Sequence, residues 1–172
     1  MNPSTAPSTS PHAAAVRAGH ADASARSSEF LAFRLGAEEY GIDILRVQEI
    51  RSFEPPTRIA GAPPHLLGVT NLRGAIVPVA DLRVKFGCEK AEFGPFTVVI
   101  VLNIGQRVVG AVVDAVSDVL RLADDQIRPA PELATDGASC ITGIGNLTTD
   151  GRERMLILLD IQALMQRADM GL

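Results

Sequence analysis

Apolar and polar positions alternate with a period of two along much of this chain, the periodicity of strands with one covered face. Leu31, Phe33 and Leu35 alternate with Ala32 and Arg34, and Gly36-Ala37-Glu38-Glu39 turns the chain into Tyr40, Ile42 and Ile44, so residues 29–44 read as a hairpin. Two apolar runs, 68–72 and 75–82, flank Arg73-Gly74. A two-residue break ending in Gly is the signature of a tight hairpin. Pro78 cannot donate to a ladder, so the second of these strands is expected at a sheet edge or beside a bulge. Residues 97–102 are apolar throughout, 103–106 form a turn, and 107–122 read as one long strand in which Gly110 marks a bulge or bend. A last hairpin is expected from 141–147 and 155–160, joined around 148–154.

The helical signals are short. Ile44, Leu45, Val47 and Ile50 fit a helical turn and a continuing strand equally. Residues 58–64 read as a loop, with Pro64 opening one helical turn through Leu67. Residues 83–86 form a turn ended by Gly87, and Asp124 or Asp125 is expected to cap a brief helix ending before Pro129. Residues 129–133 are then extended, Asp136-Gly137 lies in a polar loop, and the Ile161, Leu164, Met165 spacing predicts a helix over 161–168. The segment 68–72 is echoed by 143–147, and 76–82 by 156–161, with Asp81 answering Asp160. That echo predicts two similar lobes, each a small barrel of short strands closed to hide its edges.

Composition sharpens this picture. The 172 residues are 47% hydrophobic but only 4% aromatic, so the interior is built from Val, Ile and Leu, which favours sheet. A net charge of −4 without a basic cluster argues against nucleic acid or an anionic membrane as main partner. Cys88 and Cys140 are isolated, with neither metal spacing nor a redox pair, and suit a reducing compartment. No apolar run reaches membrane-spanning length, and a cytoplasmic location is expected. Residues 1–28, rich in Ala, Ser, Thr and Pro, read as a disordered tail. Arg17 and Arg26 also fit a transit peptide, but Pro3, Pro7 and Pro11 count against an amphipathic helix there.

The search for chemistry is mostly negative. Gly143-Ile144-Gly145 continues as Asn146-Leu147-Thr148, so there is neither a dinucleotide nor a phosphate loop. His65 has no sequence-near carboxylate or thiol and reads as a packed or surface histidine. Asp124, Asp125 and Asp136 lack calcium-loop spacing, and Asp81 and Asp160 fit strand ends or helix caps better than a catalytic pair. No catalytic residue, cofactor or metal is assigned. Arg73, at a bend between two apolar strands, is the best placed charge, either as a solvated turn residue or as a fork held out from a rigid base.

Five segments then resemble one family: Glu39-Tyr40-Gly41-Ile42-Asp43-Ile44, Val47-Gln48-Glu49-Ile50, residues 68–74, Val77-Pro78-Val79-Ala80-Asp81-Leu82 and residues 126–132. Together they are similar to the CheW family of bacterial chemotaxis coupling proteins, of the enterobacterial type, over roughly residues 29–166. The resemblance implies a mainly β fold of two intertwined SH3-like five-stranded barrels on a shared core, with short helices and a C-terminal helix, occupying 29–168. It implies an adaptor, not an enzyme, that links cytoplasmic tips of methyl-accepting chemoreceptors to the regulatory domain of the histidine kinase CheA at membrane receptor arrays, without membrane insertion. Carried over by position, receptor contact falls on Glu49, Gly68, Asn71, Arg73, Val98 and Val119 in the groove between lobes. Kinase contact falls on Leu31, Ile44 and Val47 of the first lobe, with a second, ring-closing contact at Arg128 and Leu133. Leu133 departs from the family, where an aromatic is expected. A peptide-binding SH3-like regulatory module of another two-component pathway is the alternative.

Overall fold

The apolar run after Arg107 is not one strand. It breaks at Asp114 into β7 (Arg107–Val113) and β8 (Ala115–Ala123), which lie in different sheets. The chain makes the same crossing earlier, where β2 (Glu38–Asp43) passes through a 3-10 turn, Ile44–Arg46, into β3 (Val47–Ser52). In this computed structural model residues 27–88, 92–131, 140–167 and 170–172 are described. The remaining strands are β1 (Ser27–Leu35), β4 (Leu66–Leu72), β5 (Ala75–Asp81), β6 (Val98–Ile104), β9 (Ile127–Arg128), β10 (Ile141–Thr149) and β11 (Arg152–Leu159). One sheet runs β3-β6-β7-β5-β4, the other β8-β1-β2-β11-β10-β9. Each half of the chain therefore gives a hairpin to one sheet and crosses over to build most of the other. The echo in the sequence is real, but each lobe mixes both halves.

On one side of each sheet a short segment covers the outermost long strand, which shortens the exposed ladder that invites aggregation. Thr57, beyond β3, exchanges backbone hydrogen bonds of 2.8 and 2.9 Å with Val69 on the outer side of β4. The two-residue β9 does the same for β10, pairing Arg128 with Ile144. Alternate residues of each strand then point into a barrel or between the barrels. Leu72, Val77, Val79, Val99, Val101 and Val112 fill the five-stranded barrel, and Ala32, Leu122, Leu156 and Leu158 fill the six-stranded one. The largest cluster, including Leu31, Phe33, Ile42, Ile100, Leu102 and Leu159, lies on the other faces and is shared by both sheets. Covering both faces of a strand explains why 97–102 reads as a continuous apolar run.

Several expectations change. Pro78 is not on an edge, since β5 lies between β7 and β4, and β4 is the edge strand. The β5–β7 ladder begins only at Val79, and a bulge in β4 lies beside the pairing of Pro78 with Val69, so the bulge alternative holds. Gly110 carries no bulge: it sits where an added Cβ would come within 2.9 Å of Val99 Cγ1. Pro64 begins a turn and not a helix, because Leu66 and Leu67 are already in β4. The 3-10 turn Asp124–Gln126 follows Ala123, whose N–H donates to Gln126 Oε1 at 2.8 Å, so neither aspartate is its cap. The last helix, α2, is shorter than expected at Ile161–Met165, and β1 starts two residues inside the stretch read as tail. The other part of the tail (1–26), Leu133 and Asp136-Gly137 lie outside the described residues.

Asp81 and Asp160 do cap helices. Asp81 accepts from Arg83 N at the start of α1 (Leu82–Lys85), and Asp160 from Ala163 N at the start of α2. Asp81 is also half of a buried ion pair that the sequence did not reveal. Arg83 has 0% of its side chain exposed and grips Asp81 with Nε at 3.0 Å and Nη2 at 2.9 Å. Its Nη1 donates to Asp114 Oδ1 at 3.1 Å and to Glu92 O at 2.6 Å, and its guanidinium lies 4.8 Å from the Phe93 ring centroid. Asp114 Oδ2 in turn accepts the Gly36 N–H of the β1–β2 turn at 2.7 Å. Burial opposes the Arg83 charge, yet hydrogen bonds to Asp81 and Asp114 hold its pKa above the ordinary value. Arg83→Met, which keeps the stem but strands the buried Asp81 carboxylate, is expected to cost about 3 to 5 kcal/mol in urea unfolding. Asp114→Asn is expected to cost less, because Asp114 is partly solvated.

Candidate docking site

The charged rim at one end of the five-stranded barrel grows out of a single turn. In the β4–β5 hairpin Arg73 and Gly74 have φ of 53° and 88°, the double positive φ of a type I′ turn, whose twist matches the flanking strands. Asn71 Oδ1 accepts the Gly74 N–H at 2.8 Å and fixes the turn from inside. The Arg73 side chain leaves this rigid base, and its Nη2 reaches Glu49 Oε2 at 2.5 Å. Glu49 stands on β3 just past a bulge between Val47 and Glu49, and its second oxygen accepts from Arg51 Nη1 at 3.1 Å. Hydrogen bonds from Arg51, and next from Arg73, hold the Glu49 carboxyl below its ordinary pKa. The guanidinium faces outward: the Arg73 side chain is 67% exposed and that of Glu49 21%.

The structure brings together only part of the set expected at a receptor site. Glu49, Asn71 and Arg73 form one rim. Gly68 lies buried behind it, with φ of 147° and an imagined Cβ only 1.9 Å from Thr57 O. Its place is the barrel closure, where only a glycine lets the two backbones meet. Val98 opens β6, paired with Ser52 and partly covered by the shared core. Val119 belongs to β8 of the other sheet and is half exposed.

The residues expected at a kinase site divide in the same way. Leu31, at 2% exposure, is a core residue of the six-stranded sheet, and so neither exposed nor on the same sheet as Val47. Ile44 opens the 3-10 crossing and Val47 follows it, and both are partly covered by the shared core. Leu45 between them is 83% exposed, an outward turn that the period of the sequence did not resolve. Arg128 is exposed on β9. Arg51 was also missed, although its place two residues from Glu49 on a strand puts both on one face.

The six-stranded barrel carries a matching pair. Asp118 occupies on β8 the place of Glu49 on β3, beside an equivalent bulge, and accepts from Arg154 Nη2 at 3.0 Å. Arg154 also binds Glu39 at 2.6 Å, and hydrogen bonds to Asp118 and then Glu39 raise its pKa. His65 is packed, its Nε2 donating to Met170 O at 2.9 Å. Among the described residues no group of three or more His, Cys, Asp or Glu is placed to hold a metal ion, and no helix is long and apolar enough to cross a membrane.

Two outcomes follow from this geometry. Gly68→Ala is expected to destabilise the fold by at least about 2 kcal/mol through backbone strain and the clash with Thr57, read by thermal or urea unfolding. A binding defect at Gly68 is thus a fold defect. For Glu49 a depressed folded pKa means that the Arg pairing is complete above the ordinary carboxylate range and is lost as pH falls through the depressed value. A carboxyl NMR titration should place the Glu49 midpoint below that of a free glutamate, and Arg73→Ala should move it upward.

Comparison with known proteins places this geometry in context. The profile described as the CheW-like domain matches residues 29–169. The chain is 59% identical over 145 residues to the chemotaxis protein CheW of Klebsiella aerogenes, covering 84% of this chain and 85% of that protein. It is 42% identical over 132 residues to the chemotaxis protein CheW of Rhizobium meliloti, covering 77% of this chain and 84% of that one. The crystal structure of the scaffolding protein TtCheW from Thermoanaerobacter tengcongensis superposes with a TM-score of 0.75 at 30% identity, over 86% of this chain and 98% of that one.

Proposed function

The chain belongs to the CheW-like domain family, and from that membership we propose that it is an adaptor of bacterial chemotaxis, coupling the cytoplasmic tips of methyl-accepting receptors to the regulatory domain of the histidine kinase CheA. The observation that carries the reading is the family match over the whole folded part, joined to a charged rim held on a rigid hairpin. The proteins it resembles are described as chemotaxis proteins and as a scaffold. A scaffold works by presenting separate faces in a fixed relation, and it needs neither a cofactor nor a catalytic centre. The receptor face is assigned to Glu49, Asn71 and Arg73, with Val98 and Val119 toward the second lobe. A receptor tip is a helical hairpin, and Arg73 offers an outward fork to a carboxylate on such a helix. Binding to receptors recruits the protein to membrane arrays without inserting it.

The kinase face is assigned to the 3-10 crossing, Ile44 to Val47, with exposed Leu45 at its centre. Arg128 on β9 marks a second contact on the other lobe. Leu31 is not part of the kinase surface.

Arg73→Ala is expected to weaken binding of a soluble receptor-tip fragment by about ten-fold, the cost of one oriented charged hydrogen bond, and to leave binding of the CheA regulatory domain unchanged. Its melting temperature should move by less than about 3 °C, as for an exposed ion pair. Equal loss of both partners would place Arg73 in the fold and not at a receptor contact. Val47→Glu and Leu45→Glu are expected to remove kinase binding while circular dichroism stays that of the folded protein. Unaltered kinase binding by both would move the kinase face elsewhere.

A further inference from the structure

Residues 170–172 tie one half of the chain to the other. They follow α2, which begins directly after β11 of the six-stranded sheet, yet they lie against the segment that leads into β4 of the five-stranded one. Met170 is fully buried in the shared core, and Leu172 packs against the same cluster. The Met170 carbonyl accepts from His65 Nε2 at 2.9 Å. Gly171 has φ of 74°, and a Cβ there would stand 3.1 and 3.2 Å from Pro63 Cγ and Cδ, so its backbone lies on the proline ring. Only a glycine meets both conditions. The backbone carbonyl of His65 meanwhile accepts the Asp81 N–H at 2.7 Å, and that of Pro63 accepts the Leu66 N–H at 3.0 Å. In the other half Cys140 O accepts the Asp160 N–H in the same way at 2.8 Å. The backbone device is common to both halves, and the imidazole that reaches Met170 is what His65 adds to it.

The segment that these contacts hold is weakly tied elsewhere. Pro55, Pro56, Pro63 and Pro64 have no N–H to give. Among the described residues, 54–65 donates backbone bonds only from Thr57, to Val69 O at 2.8 Å, and from Ala62, to Ile59 O at 3.4 Å. Residues 57–61 are exposed throughout. Few backbone bonds and little burial mark a unit that opens at low cost while the rest of a protein stays folded. Opening here uncovers the outer edge of β4, because Thr57 is the residue that pairs with Val69. The β6–β7 ladder, by contrast, is continuous from Val98–Val113 to Ile104–Arg107 and buried over most of its length. Lifting the segment would break the His65 bond and strip Pro63 from Gly171, so neither side of the contact moves alone. We infer that residues 170–172 are a strap, fastened by His65, that keeps the 57–65 segment seated on the edge of β4, and that strap and segment open together as one unit while both sheets stay folded. The second half of the chain thereby guards an edge strand of the first barrel, the kind of edge that otherwise pairs with another chain.

Native-state hydrogen exchange of the full chain, followed by NMR, tests this. In low urea the amides of Thr57, Leu66, Val69 and Met170 should share one opening free energy, below that of the β6–β7 ladder. Different values for Thr57 and Met170, or values equal to that of the ladder, overturn the unit. His65→Phe keeps a ring in the site but removes the donor to Met170. It should speed exchange at all four amides by about ten-fold, the effect of one buried hydrogen bond, and leave the β6–β7 amides unchanged. Gly171→Ala disturbs the contact from the strap side and should give the same pattern. Acceleration confined to Met170 shows that the strap does not hold the segment and overturns the inference. Equal acceleration of every amide gives His65 a role in the whole fold and overturns it as well. Should neither variant fold, the opening energies of the unaltered chain decide the question by themselves.

Discussion

A fully buried guanidinium holds the two lobes in register. Arg83 sits at the start of α1, directly after β5 of the five-stranded sheet. Through Asp114 it reaches the point where the chain leaves that sheet, and Asp114 binds the β1–β2 turn of the other sheet. Three elements from both lobes are thus tied by directional bonds. The shared core alone would tolerate small slides, because Val, Ile and Leu surfaces repack at low cost. A guanidinium does not: displaced from Asp81 and Asp114 it would be an uncompensated buried charge. The contribution of this cluster is therefore less to net stability than to a single arrangement of the lobes. An adaptor requires that arrangement, since its use lies in the fixed relation between its faces.

The exchange of hairpins between halves gives the same result by topology. Each half crosses from one sheet to the other, at Ile44–Arg46 and at Asp114, so neither barrel can close without strands from both ends of the chain. The repeated parts keep the backbone devices: Asp81 and Asp160 both cap helices, and the backbone N–H groups of these residues donate to His65 O and Cys140 O at 2.7 and 2.8 Å. What differs is what each side chain does afterwards. Asp81 is buried against Arg83, whereas Asp160 is exposed and serves its helix alone. The frame is common to both halves, and a difference in single side chains places the ion cluster on one side.

The strands were legible because they are buried on one or both faces, and period-two patterns and continuous apolar runs report that burial directly. The hairpin at Arg73-Gly74 was legible because Gly at a two-residue break has few other meanings. The break at Asp114 was not, because apolar residues continue on both sides and one aspartate reads as a solvent-facing member of a strand. Arg83 was invisible for a related reason. One of its partners is Asp114, 31 residues away in sequence, and no local pattern places that carboxylate beside it. Of the docking site, sequence resemblance named the rim, but Leu31 and Gly68 illustrate its limit. Both hold the fold at the places where it would otherwise fail, and a position important for such a reason cannot be told from a contact position without the structure.

The two hairpins separate what a turn requires from what a site requires. In the six-stranded barrel the turn is Asp150-Gly151, with φ of 52° and 77°, and aspartate is among the residues that accept a left-handed conformation most readily. In the five-stranded barrel the same place is held by Arg73, with φ of 53°. A long side chain there costs about 1 kcal/mol that a glycine would not. Nothing in the turn asks for it, since Asn71 already secures Gly74 and the strands on either side are fully paired. Its partner Glu49 is partly covered, but the Arg73 side chain is mostly open to water, where an ion pair adds little to the fold. An arginine held in an unfavourable backbone conformation, bound on one side and open on the other, is what the proposed receptor contact at this rim would account for.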